Sequence, residues 1–298
     1  MLKKLFLLLP FLACPVMANT YLGFGSFQSE FYGSEFDREY ESDVNNIRQF
    51  KFGYNDRKYI DIFGGVNLDE DDQVRDFTLG FALKDKLIHL ERGKISGNII
   101  SDTDQKIGEF DNSYFSLNVL DRNATHDGFM FGMGVQRYQV PHLFEYGDGS
   151  IQGPMLQDTA LEVTSIGLGI FYDPIYNFLH REHMPASHFD WYFATSTLAL
   201  NLSYVQTSDA PDMVAYGVDG KGFLMWGNTG TYELGVFYAM QHAGVRLAAN
   251  LGYHLRANNM LNVNPAELFR SDAPEGDIYL DSAQTILMGL TAGVTINF

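Results

Sequence analysis

The sequence predicts an all-β fold: a single transmembrane antiparallel up-and-down β-barrel of twelve strands, with ten to fourteen as the range. Three observations lead to this prediction. Residues 284–298 alternate almost perfectly between apolar and small or polar side chains, which is the period-2 pattern of a β-strand. After residue 18 no run of eighteen apolar residues occurs, so a transmembrane helix is not expected. The chain is also rich in Phe (24), Tyr (17) and Gly (29).

The last strand ends on Phe298, which lies on its apolar face. This strand resembles the terminal strand of Gram-negative outer-membrane β-barrels as a class, in which a final Phe is part of the signal read by the barrel-assembly machinery. The resemblance implies that Phe298 is an assembly signal and that this machinery is a partner during biogenesis. It also implies an outer-membrane location, and an even strand count places the N- and C-termini in the periplasm. It identifies no specific family.

The first eighteen residues predict a secretory signal peptide, because two lysines precede a short apolar stretch at 5–13. Cleavage after Ala18 leaves residues 19–298 as the barrel domain. The only cysteine, Cys14, departs with the signal, so disulfides and thiol chemistry are excluded from the mature chain. The alternative of a lipoprotein acylated at Cys14 is disfavoured, since Phe11 stands where Leu is expected.

Alternating segments divide the mature chain into twelve expected strands separated by clusters of Gly, Asn and Asp. Short connections at 55–58, 84–86 and 241–244 fit periplasmic turns. The connection at 172–190 is too long for a turn and can hold a small helix around 175–183. The expected strands are 20–31, 47–54, 59–66, 74–83, 87–93, 112–120, 128–140, 159–171, 191–205, 231–240, 245–256 and 284–298.

Charge supports this topology. The chain carries a net charge of −17, and each of the six segments expected outside the cell is net acidic, whereas the connections on the other side are nearly neutral. Acidic loops disfavour nucleic acid as a partner, because its phosphates would be repelled. They would attract cations, including the divalent cations that bridge lipopolysaccharide. The six segments are 32–46, 67–73, 94–111, 141–158, 206–230 and 257–283.

Strand parity assigns charged side chains of both signs to the lumen face, where they would line a possible constriction. Many glycines share that face, which predicts either open space for a pore or close approach of other groups. Phe193 is among five aromatic residues assigned inward, with Tyr59, Phe63, Phe171 and Phe237. The charged lumen residues are Lys51, Asp61, Asp76, Glu233, Arg246 and Arg256.

The same parity places Arg75 and Arg137 on the lipid-facing side near the outer ends of their strands. There a guanidinium can grip a phosphate with two hydrogen bonds, so contact with lipopolysaccharide is expected. The alternative is that both are strand-end residues exposed to water. Glu162, on the apolar parity of its own strand, fits neither interpretation.

No motif assigns catalysis, a metal or a cofactor. Histidines at 180, 183 and 188 with Glu182 could approach zinc, but their spacing matches no zinc pattern. The acidic run 69–72 lacks the spaced ligands of an EF-hand loop. No glycine-rich phosphate loop opens a helix. A rim enzyme would need groups such as His142, Glu145, Ser150 and His254 to meet, and no serine lies in a hydrolase-like signature.

Three functions follow from these patterns. The first is a narrow porin-like channel for small solutes, with the lumen charges selecting by size and sign. The second is a non-conducting surface-binding or structural barrel, whose acidic extracellular loops meet ions, lipopolysaccharide or a partner. The third is a rim enzyme that acts on outer-membrane lipid.

Overall fold

The computed structural model describes residues 20–35, 38–41, 45–55, 60–68, 74–100, 106–122, 128–140, 161–180, 183, 185–206, 222–262 and 282–298. These residues form thirteen strands and one short helix. The strands are β1 (Thr20–Glu35), β2 (Arg38–Glu41), β3 (Asn45–Asn55), β4 (Ile60–Leu68), β5 (Val74–Leu83), β6 (Lys86–Ile100), β7 (Lys106–Asp121), β8 (Met130–Val140), β9 (Leu161–Tyr172), β10 (Ser187–Gln206), β11 (Gly222–His242), β12 (Val245–Asn262) and β13 (Ser282–Asn297); helix α1 is Pro174–Leu179.

Twelve of these strands form a closed antiparallel barrel, as the sequence predicts. Each pairs with its neighbour along the chain, and β1 closes the sheet by pairing with β13 from Tyr21 opposite Asn297 onward. Phe298 extends this seam, since its backbone N–H donates to the carbonyl of Thr20 at 2.9 Å. The short β2 pairs with the far end of β1 and adds no wall strand. Among the described residues, no helix is long and apolar enough to cross a bilayer.

The two ends of the barrel differ. Both termini of the described chain lie at one end, together with the connections after β3, β5, β7, β9 and β11; we call it the short-turn end. Two of these connections are two-residue turns, and in one of them Ala243 and Gly244 both have positive φ, 49° and 86°, as the tightest hairpin turns require. We call the opposite end the long-loop end. Most residues of the six acidic segments that form its connections lie outside the described residues.

The outer face of the barrel is apolar. Large side chains such as Trp191, Leu234, Leu251 and Leu290 are each more than half exposed there. The alternate residues along the same strands point inward and are largely buried, because successive side chains of a strand point to opposite faces. A continuous apolar outer surface around a closed sheet is matched to lipid rather than to water.

The lumen glycines provide close approach rather than open space. A Cβ at Gly80 would collide with the ring of Phe63, and one at Gly53 would collide with Tyr21. One at Gly252 would lie 2.6 Å from the hydroxyl of Tyr192. At these three positions an aromatic side chain occupies the space that a larger residue would need, so the lumen is filled there.

Of the five aromatic residues assigned to the lumen, Tyr59 lies outside the described residues and Phe193 is assigned wrongly. Phe193 is 42% exposed and pairs with the outward Leu234, so it belongs to the outer face. The reason is a β-bulge between Leu198 and Asn201, where the pairing of β10 shifts against both neighbours and Leu200 adopts a φ of 49°. A bulge adds one residue and reverses the parity of the strand, so Asn201 points inward while Phe193 does not.

The connection after β9 contains α1, which confirms the small helix expected around 175–183. Asp173 caps the helix, since its carboxylate accepts a hydrogen bond of 2.9 Å from the backbone N–H of Tyr176. Pro174 occupies the first helical position, where its missing N–H is not needed. Phe178 and Leu179 are buried. The helix thus folds into the barrel, a position that the sequence pattern did not predict.

Candidate functional site: a helix-closed lumen

Helix α1 closes the lumen at the short-turn end. Its last carbonyl, that of Leu179, accepts hydrogen bonds from Arg246 Nη1 at 2.6 Å and from Asn297 Nδ2 at 3.0 Å. Arg246 lies on β12 and Asn297 on β13. The exposed last carbonyls of a helix carry partial negative charge, so a guanidinium is well matched to this position.

The other side of the helix is held by Tyr176. Its hydroxyl donates to the carboxylate of Asp61 on β4 and accepts from Asn55 Nδ2 on β3 at 2.9 Å. Asp61 is 1% exposed, and Arg122 approaches its other oxygen at 3.3 Å. Burial and the Asp61 carboxylate raise the pKa of Tyr176 well above its ordinary value, so the hydroxyl remains a donor. Anchors on β3, β4, β12 and β13, which with β1 are consecutive strands of the barrel, hold α1 inside the lumen.

Apolar packing completes the closure. Phe178 meets Phe237 edge to face with centroids 5.4 Å apart, in a buried cluster with Ala239 and Ala248. Leu179 is fully buried in the same cluster. Across the helix, the ring of Tyr176 lies 5.2 Å from that of Tyr21.

A buried charged layer lies farther toward the long-loop end. Arg256 Nη1 is 3.0 Å from Asp76 Oδ2, and its Nη2 is 3.7 Å from Glu91 Oε2. The guanidinium carbon stands 3.5 Å from the ring centroid of Tyr114, and Nη1 also donates a hydrogen bond to the Tyr114 hydroxyl. Ser196 donates to Glu91 at 2.7 Å. One arginine therefore joins β5, β6, β7 and β12 across the lumen.

A second polar group surrounds Glu233. Its Oε1 accepts from the hydroxyl of Tyr192 and from Asn250 Nδ2 at 3.2 Å, and its Oε2 is 3.9 Å from His254 Nδ1. Asn250 also donates to the Tyr192 hydroxyl at 3.1 Å. Both oxygens of this carboxylate therefore lie near polar side chains of the adjacent strands β10 and β12.

Between α1 and the charged layer lies a partly open cavity of about 180 Å³, which we call the chamber. Ile175, Tyr176 and Leu179 of α1 form its floor. Its wall carries the carboxylates of Asp76, Glu91, Asp173 and Glu233 but only two basic side chains, those of Lys51 and Arg256, with three histidines and several aromatic rings.

The six charged residues that the sequence assigns to the lumen all lie on the inner face, but the structure divides them. Asp61 and Arg246 belong to the plug anchors. Asp76 and Arg256 form an ion pair. Glu233 and Lys51 both line the chamber. Asp76 and Arg256 therefore meet across the lumen, while Asp61 and Arg246 contact the helix or its end.

Sequence reasoning missed Glu91, His89, Tyr114, Tyr176 and Tyr192. Strand parity could have found Glu91 and His89, because both alternate with the outward residues of β6. The three tyrosines carried no such signal, since Tyr is equally at home in the lumen and in an aromatic belt at the membrane surface.

The remaining candidates lie elsewhere. Arg137 is on the outer face and forms an ion pair with Glu162, which accounts for the polar residue that sequence parity could not place. Arg75 is also exposed on the outer face. His254 lies inside the barrel rather than at a rim, while residues 142, 145 and 150 fall outside the described part of the chain. The described residues contain no group of three metal-ligating side chains.

No protein-family model and no curated protein matches the chain. Among solved structures it is similar to the outer-membrane protease OmpT from Escherichia coli, with a TM-score of 0.28 and 10% identity over 94% of this chain and 96% of that one. It is also similar to the OmpT of Vibrio cholerae (0.28, 13%, 92% and 98%) and to the Pseudomonas putida toluene transporter TodX (0.30, 8%, 94% and 90%). At such low TM-scores, the twelve-strand architecture rests on this chain's own strand pairing.

Proposed function

We propose that the protein is an outer-membrane β-barrel that forms a narrow channel for small solutes, closed in this structure by α1. The observation that carries the proposal is the position of α1: it fills the short-turn end of the lumen, directly beneath the chamber. Hydrogen bonds to Arg246, Asn297 and Asp61, with the apolar contacts of Phe178 and Leu179, hold this six-residue helix against the wall. A short helix held in this way suits a plug that can be displaced.

The chamber supports a small-solute pathway. Its volume of about 180 Å³ can hold one molecule of roughly the size of benzene, for which a cavity of about 150 Å³ suffices. Carboxylates and amides on the wall offer hydrogen bonds to replace lost water, as a selective pathway requires.

Liposome swelling tests the channel. Wild-type protein is compared with a plug-replaced variant in which residues 174–179 become an equal stretch of Gly and Ser. We expect little swelling with wild type, rapid swelling in glycerol for the variant, and none in a trisaccharide. Heat-modifiable migration on gels verifies that both barrels are folded. Equal impermeability of the two folded barrels to glycerol would refute the channel.

A second candidate is a non-conducting surface-binding barrel, which a different observation favours. Lumen charges of opposite sign pair with one another, as Arg256 does with Asp76 and Glu91. A lumen sealed by its own side chains would remain closed without the helix, so impermeability of the plug-replaced variant supports this candidate.

We further propose that the short-turn end is periplasmic, with the acidic segments outside, where divalent cations would collect. Epitope tags within 257–283 should then be reached by antibody on intact cells, while tags at 243–244 should not. The opposite labelling would reverse the orientation.

Lipopolysaccharide is the proposed neighbour of Arg75 and Arg137 at the outer rim. Arg75 is exposed on the outer face, and changing it leaves the ion pair of Arg137 with Glu162 intact. Arg75→Glu should lower the thermal midpoint in lipopolysaccharide-containing membranes and leave it nearly unchanged in neutral detergent. An equal loss in both media would show that Arg75 stabilises the barrel itself.

A further inference from the structure

The chamber carries an imbalance of charge. Four carboxylates line it, those of Asp76, Glu91, Asp173 and Glu233, against the two cations Lys51 and Arg256. With neutral histidines, the wall is therefore net negative. Low-dielectric walls strengthen the attraction between this excess of negative charge and a cation.

Two buried polar atoms in the chamber wall lack hydrogen-bond partners. His89 is 2% exposed, and its Nδ1 makes no hydrogen bond; the nearest carboxylate oxygen, Oε1 of Glu91, is 3.9 Å away and too far. Asp76 Oδ1 is also buried without a hydrogen bond, because Arg256 engages only Oδ2. Unsatisfied buried polar atoms are costly, so each is a position where a hydrogen-bonding ligand would stabilise the site. Asp76 Oδ1 would accept from a bound donor, and so would His89 Nδ1 in the tautomer that carries its proton on Nε2.

The rest of the chamber is aromatic. Phe63 and Phe171 stack with centroids 5.4 Å apart, and His89 lies 4.9 Å from Phe171. Tyr21 and Tyr176 continue this surface toward the floor. Aromatic faces attract cations and also bury apolar surface, so they suit a ligand with both properties.

We propose that the chamber is a binding site for a small organic monocation, a primary amine on a ring-sized apolar body. The ammonium donates hydrogen bonds toward Asp76 Oδ1, Glu91 and His89, while the apolar body packs against Phe63, Phe171 and Tyr176. The volume of about 180 Å³ admits a single six-membered ring with one short substituent. This rests on the proposed function in taking the chamber as the selective part of the pathway, and it names the solute class that the pathway prefers.

Isothermal titration calorimetry of the folded barrel in neutral detergent tests the proposal with three probes of equal size: benzylamine, benzyl alcohol and benzoate. We expect binding in that order, with benzylamine at least about tenfold tighter than benzyl alcohol and benzoate not detectable. Benzyl alcohol binding as tightly as benzylamine, or no binding of benzylamine, would overturn the proposal.

A matched pair of variants locates the site. Glu91→Gln removes one chamber charge and retains an acceptor for Ser196, so benzylamine should bind about tenfold more weakly while benzyl alcohol is unaffected. Glu162→Gln makes the same change on the outer face and should alter neither. Equal weakening by both variants would place the amine outside the chamber. If Glu91→Gln does not fold, Asp76→Asn replaces it with the same expectation.

These results are separate from the test of the channel. If benzylamine binds but the plug-replaced variant is impermeable, the binding site stands and the channel proposal fails. If the plug-replaced variant is permeable but the barrel does not bind benzylamine, the channel proposal stands and the binding-site proposal fails.

Discussion

Arg246 Nη1 donates a hydrogen bond of 2.6 Å to the carbonyl of Leu179, and by this contact the barrel wall holds the last turn of a helix inside its own lumen. Arg246 is 7% exposed and Leu179 fully buried. A buried guanidinium needs acceptors, and the free carbonyls of a helix end need donors. Each group therefore satisfies the other, and this contact connects the wall to the closure of the lumen.

The hydroxyl of Tyr176 gives the first prediction. Tyr176→Phe removes a hydrogen-bond donor from the buried carboxylate of Asp61, so thermal unfolding should show a loss of about 1–3 kcal/mol. Tyr238→Phe on the outer face should cost less than about 0.5 kcal/mol. Equal effects would show that Tyr176 does not anchor the helix.

The same residue predicts a dependence on pH. Burial and the Asp61 carboxylate raise the pKa of Tyr176 above its ordinary value near 10. A raised pKa in the folded state gives stability that is complete below about pH 10 and is lost as the pH rises further. Wild-type stability should therefore fall more steeply above pH 10 than that of Tyr176→Phe. Parallel curves for the two proteins would contradict this.

Close approach at glycine predicts a specific rescue. Gly80→Ala places a methyl group against the ring of Phe63 and should destabilise the barrel by about 1–3 kcal/mol. Adding Phe63→Leu, which itself removes ring contacts, should recover part of that loss. A double-mutant cycle in unfolding free energy measures the coupling, and simple additivity would mean that the two residues do not compete for space.

The buried charged layer should depend strongly on its arginine. Arg256→Met leaves the carboxylates of Asp76 and Glu91 without their cation and should cost about 3–5 kcal/mol. Adding Asp76→Asn and Glu91→Gln to Arg256→Met removes all three charges and should restore most of the stability. Arg137→Met, which breaks an exposed pair with Glu162, should cost less than about 1 kcal/mol. A small effect of Arg256→Met alone would show that water reaches the layer.

Much of the wall could be predicted from sequence, because alternation is a local property of each strand. In residues 284–298 it separates Leu290 and Val294, which are exposed outside, from Thr291, which is buried inside. The same rule failed at Phe193, since nothing in the sequence marks the bulge at Leu200 that reverses the parity of β10.

The candidate site was harder to predict from the sequence, because its contacts join residues far apart in the chain. Arg256 meets Asp76 from 180 positions away, and Arg246 meets Leu179 from 67. Parity indicated that such charges share a lumen but could not say which of them pair. The expected helix was likewise local, while its entry into the barrel depends on anchors from four strands.

The conductance of single barrels in a planar bilayer tests the central claim, that α1 closes a lumen which would otherwise conduct. Wild type is compared with the plug-replaced variant and with Arg75→Ala, an outer-face control. The account predicts little or no steady current for wild type and the control, and a steady conductance at least several-fold higher for the plug-replaced barrel. A folded plug-replaced barrel as silent as wild type, or a wild type that already conducts steadily, would contradict it.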